Sequence, residues 1–154
     1  MEDVVRERID FGDPALAEAL RALDPARLRS VAAVAARIAV DHTGLSDPRL
    51  IGALAALHAG EPASSEDREA VATVIGEFDE VYWSLAHKRD AATPASNAEH
   101  ESFARARAAN ALWYALDPDP HTAALEAVYE SLTALDGHTD KLRTALRALA
   151  ADQP

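Results

Sequence analysis

The 154-residue chain contains no cysteine, which excludes disulfide frameworks, thiol chemistry and any zinc site built on sulfur. Lysine is scarce as well: two lysines stand beside thirteen arginines. Eight aromatic residues and thirteen Val or Ile are too few to fill a β-sandwich or barrel. The six glycines are dispersed, and no glycine-rich turn is present to cradle a phosphate or dinucleotide. A GxSxG nucleophile elbow is also missing, and the serines fall in caps and loops. No apolar run approaches the ~18 residues of a membrane-spanning helix. The opening MEDVVRERIDFGDP scatters its charges and has no apolar stretch of the secretory kind, so a cytoplasmic location is expected.

What the chain does contain is alanine. The hydrophobic fraction is 49%, but 36 residues are alanine and only 39 carry a larger apolar side chain. The length suits one domain over residues 1–154, with 1–12 a flexible or short helical arm. Small faces let helices approach closely, and a core this sparse is one that a second copy would complete.

The net charge of −11 is concentrated. Residues 61–80 hold seven acids and one base, and residues 117–140 hold six acids and no base. That sign opposes direct contact with a nucleic-acid backbone, which needs clustered Lys and Arg. It favours solubility or a basic partner.

Helix boundaries are written in Asp-Pro pairs. Asp13-Pro14, Asp24-Pro25 and Asp47-Pro48 each place an N-cap acceptor before proline at the first helical position. Asp117-Pro118 and Asp119-Pro120 repeat the device ambiguously, and Ser64 with Asp67 resembles a capping box. Gly44, Gly60 and Gly137 mark stops. Between these signals the spacing predicts helices at about 14–23, 25–42, 48–58, 65–90, 97–116, 119–135 and 139–151. Val71, Val74, Ile75, Phe78, Tyr82 and Leu85 form one stripe, and Leu125, Val128, Leu132 and Leu135 another. No segment alternates with period two. The expected fold is all-α, a compact bundle of about six to seven antiparallel helices joined by short connections.

Three groups of residues are candidate sites. On the fourth helix Glu77, Glu80, Ser84 and His87 form an outward stripe, and Trp83 lies on the same side. A tryptophan among acids reads as a contact surface, with Trp83, Asp79, Glu80 and Glu77 binding a partner, or as a residue covered by another helix. On the fifth helix Asn110 falls within the face of Phe103, Ala106 and Trp113. It reads as a polar handle in an aromatic pocket with Trp113, Tyr114, Tyr82 and His121, or as an interhelical hydrogen bond. His42, His58 and His121 lie at helix ends on or beside apolar faces. No HExxH, Glu-x-x-His or i,i+4 histidine pair occurs, so no metal and no cofactor is expected.

The stretch FARARAANALWYALDPDPHTAALEAVYESL from Phe103 to Leu132, with EFDEVYW at 77–83, resembles alanine-rich helical proteins of actinobacteria. The resemblance covers about a third of the chain and implies a helical fold and a source. It implies no activity and no catalytic residue.

Together these features favour a non-enzymatic interaction module. Such a bundle would self-associate as a homodimer or dock a partner protein, as an immunity or antitoxin protein does. A small-molecule-binding bundle or small enzyme centred on Asn110 is the second reading. Neither reading calls for a membrane or for direct nucleic-acid contact.

Overall fold

The computed structural model describes residues 7–151, apart from the side chain of Phe11. Among these residues there are eight α-helices, one 3₁₀ turn and no strand. They are α1 (Arg8–Gly12), α2 (Pro14–Arg21), α3 (Pro25–Thr43), α4 (Ile51–Ala59), α5 (Ser65–Lys88), α6 (Asn97–Ala115), α7 (Pro120–Leu135) and α8 (Asp140–Ala151). The turn Pro48–Leu50 leads into α4. The count exceeds the six to seven expected because residues 8–12 of the N-terminal arm form a short helix of their own.

The caps work as the Asp-Pro pairs require. Asp13, Asp24 and Asp119 accept from the backbone N–H groups of Leu16, Arg27 and Thr122, with proline at each first turn. The ambiguity at 117–120 resolves in favour of Asp119, while the Asp117 carboxylate accepts from the Asp119 N–H at 2.8 Å. Ser64 caps α5 by accepting from Asp67 N–H. A reciprocal capping box occurs instead at Ser96 and Glu99, where α6 begins. Gly44 and Gly60 end α3 and α4 with φ of 65° and 69°. These left-handed values penalise any residue with a Cβ.

Short connections do not all join neighbours. α6 packs on α5, α7 and α3, and α3 packs chiefly on α6 and α7 rather than on its successor α4. α8 returns to α3, and α1 lies on α7. The long helices supply the broad faces, and the short ones fill edges. A simple antiparallel sequence of neighbours is therefore replaced by a centre of α3, α6 and α7.

The core has two halves that share α3 and α7. One half is lined by alanine: Ala32, Ala36 and Ala39 of α3 meet Ala108, Ala109 and Ala111 of α6, with Leu112 among them. The other is filled by leucine, with Leu20, Leu28, Leu125, Leu135, Leu142 and Leu146 around Val31 and Val128. Each leucine removed fully from water contributes about 1.5–3 kcal/mol. Alanine contributes less area but brings the helix axes together.

This packing corrects the face assigned to α6. Its buried arc runs through Ser102, Ala106, Ala108, Ala109, Ala111, Leu112 and Ala115, because helices press on it from three sides. Phe103, Asn110, Trp113 and Tyr114 sit at the margins, each only partly buried.

Candidate functional site

Charged side chains on four helices join across the bundle. Glu130 of α7 is 1% exposed. It accepts from Arg8 of α1 at 2.7 Å and from Arg107 of α6 at 3.4 Å. Arg8 also grips Glu126, one turn earlier on α7. Its guanidinium lies 4.5 Å from the centre of the Tyr129 ring and 5.5 Å from that of Tyr114. Arg107 continues to Asp79 of α5 at 3.1 Å. Burial pushes the Glu130 carboxyl above its ordinary pKa, against the pull of Arg107 and Arg8.

This spine was hidden in the sequence. Its signal is Glu126 and Glu130 at i,i+4 beside the leucine seam, in a chain whose cations are nearly all arginine. Arginine is the cation suited to buried, forked ion pairs.

Asp79 is consequently an internal ion-pair partner rather than a free surface acid. Glu77 is exposed but accepts from Arg49 at 2.6 Å. Arg49 holds the Glu77 carboxyl below its usual pKa. Of the proposed contact residues, Glu80 and Trp83 stay open to solvent. Trp83 is 54% exposed and Val81 is 48% exposed. The Trp83 ring stacks on His87 at 5.6 Å and meets the edge of Tyr82 at 5.1 Å. The N-terminal helix α1 lies against α7, so it is not the cover for Trp83 that the sequence left open. No residue of α5 beyond Val74 is buried, and the second half of this helix lies along the edge of the bundle. A shallow cavity of about 410 Å³ runs beside Glu77, Glu80, Val81, Ser84 and Leu85.

The five residues of the second candidate site are dispersed. Trp113 lies under Arg68, 4.3 Å from its ring centre. Tyr114 faces Arg8, and Tyr82 packs on Phe103 at 5.2 Å. His121 is exposed in the first turn of α7, and the half-buried Asn110 side chain makes no hydrogen bond among the described residues.

The histidines regroup. His58 and His121 are exposed and apart from His42, which approaches His138 with ring centres 5.6 Å apart. Both line a cavity of about 670 Å³, together with His100, Phe103 and Arg105 of α6 and the last turn of α7. Among the described residues no three His, Asp or Glu side chains converge as a metal site. No described helix is long and apolar enough to cross a membrane.

The described residues form an all-α bundle with an exposed face on α5 and a polar-rimmed cavity at the ends of α3 and α7. No known protein family, curated protein or solved structure matches the chain with significance.

Proposed function

We propose that this protein is a non-enzymatic interaction module that docks a basic partner protein on the outer face of α5. The observation that carries this reading is Trp83, an exposed tryptophan on the side of α5 turned away from α6. Aromatic anchors of this kind supply most of the energy in protein interfaces. Charge selects the partner. Glu66, Glu69 and Glu80 are exposed on the same helix and make no ion pair among the described residues. A second copy would bring a further net charge of −11, so a basic partner fits this face better than self-association.

The test is affinity capture with the full chain, followed by titration of the purified partner against variants. Trp83→Ala weakens binding about thirtyfold or more, the effect of losing a hot-spot residue. Reversing Glu66, Glu69 and Glu80 to lysine slows association and removes its salt dependence. A partner bound equally well by both variants overturns this reading, as does a partner of acidic character.

A further inference from the structure

The cavity at the junction of α3, α6 and α7 takes no residue from α5, and docking on Trp83 leaves it unused. Its volume of about 670 Å³ lies within the range of small-molecule sites. Its walls carry both signs of charge. Arg105 is fixed by donating from Nε to the Thr43 carbonyl at 3.2 Å. Beyond that it has only a loose contact with Glu101 at 4.0 Å, and its terminal nitrogens make no hydrogen bond among the described residues. By contrast, Arg8, Arg21, Arg49, Arg89, Arg107 and Arg143 each reach a carboxylate within 3.4 Å. Arg105 therefore presents a positioned cation with donors to spare.

Negative charge also lines the rim. Glu101 and the last carbonyl of α3 lie beside Arg105 itself, while α7 ends at the cavity and its carbonyl terminus adds partial negative charge to Asp136. Asp136 has φ of 42°, and among the described residues it is the one non-glycine in the left-handed region. Gly137 follows with φ of 86°. These two residues form the left-handed C-cap that ends α7, after which His138 lies beside His42. Phe103 and Leu132, both partly buried, supply an apolar wall.

A fixed cation, a negative rim and an apolar wall together match a ligand that has both charges and a hydrophobic body. We infer that this cavity binds a small amphipathic zwitterion with the chemistry of an apolar or aromatic α-amino acid. Its carboxylate pairs with Arg105, its ammonium faces Asp136 and the carbonyl end of α7, and its side chain lies toward Phe103. The histidines border the ligand with ring faces and polar edges.

The experiment is an NMR titration of the full chain with L-phenylalanine, with hydrocinnamate (no ammonium) and with phenethylamine (no carboxylate). L-phenylalanine shifts the imidazole signals of His42, His100 and His138 saturably and leaves those of His58, His87 and His121 in place. Each one-ended analogue binds about tenfold more weakly, the worth of one charge-assisted hydrogen bond. Asp136→Gly keeps the left-handed turn, since glycine prefers it, and weakens L-phenylalanine about tenfold without affecting hydrocinnamate. Arg105→Gln, with its fold checked by circular dichroism, leaves phenethylamine unaffected and weakens the other two. Trp83→Ala changes none of these titrations, which separates this site from docking on α5. Absence of saturable shifts, equal affinity for the three probes, or unchanged affinity in both variants overturns the inference.

Discussion

On α7, Glu126 and Glu130 lie under arginines delivered by α1 and α6, while on α5, Glu66, Glu69 and Glu80 face solvent with no ion-pair partner among the described residues. The two segments look alike in composition, since both are acid-rich windows on helices of similar amphipathic pattern. What separates them is the number of neighbours. α7 is pressed between α3 and α6, so its acids are desolvated and must be paired. On α5, Glu66, Glu69 and Glu80 lie on the solvent-exposed side of the helix, so they keep their water and their charge stays available to a partner. A run of acidic residues thus becomes a surface only where the packing leaves it one.

Removing the buried member is the severest way to break this comparison. Glu130→Ala leaves Arg107 with Asp79 alone and Arg8 with Glu126 alone, and a loss of about 1.5–3 kcal/mol in urea unfolding is expected, the worth of hydrogen bonds to a charged group. Glu80→Ala on α5 serves as its control and changes stability by less than about 0.5 kcal/mol. If the two variants unfold at the same urea concentration, the distinction between paired and open acids fails.

A capping acid gives an intermediate effect with its own pH dependence. Asp13 accepts from Arg143 of α8 at 2.6 Å and from the Leu16 N–H at 3.1 Å. These bonds, that from Arg143 foremost, hold its carboxyl below the ordinary 3.8. Because the folded pKa is depressed, the stabilisation is present above the unfolded value and is lost as pH falls through the folded one. Asp13→Asn costs about 1 kcal/mol at neutral pH, and the difference from the parent shrinks below about pH 4. Glu130, whose folded pKa is raised by burial, has the opposite sign: its contribution improves on acidification through the folded pKa. Thermal melts of both variants between neutral and acid pH check the two signs.

The smallest effect sharpens the contrast from the α5 side. A Cβ added at Gly76 meets nothing within 4 Å, so Gly76→Ala gains roughly 0.5–1 kcal/mol in the free protein. If this exposed position lies under a docked partner, the same variant weakens the complex, and comparing melting temperature with affinity separates the two.

Most of the helical plan was legible in the sequence because it is written locally. Asp-Pro caps, Gly44 and Gly60 stops and the stripe from Val71 to Leu85 need no knowledge of neighbours. The five-residue helix at Arg8 was legible only as one of two alternatives for the N-terminal arm, since the grip of Glu126 and Glu130 that holds it lies far along the chain. Asn110 was misplaced for a related reason. Periodicity weighted the large side chains of α6, whereas the closest helix contacts fall on its alanines, and Phe103 and Trp113 were left at the margins. Trp83 was read correctly as facing outward because α5 has one strong apolar stripe and little else. The cavity of His42, His100 and His138 was unreadable, because it is assembled from the end of α3, the beginning of α6 and the end of α7.

The Arg8 clamp also bears on the order in which the chain folds. Arg8 and Glu126 are separated by 118 residues. During synthesis the guanidinium emerges early, and the carboxylates and tyrosine faces that receive it exist only once α7 has formed. Closing so long a loop is entropically slow, and contacts of this range lower folding rates. Docking of the first helix therefore requires α7 to be in place, and the ion pairs of Arg8 tie the beginning of the described chain to its penultimate helix.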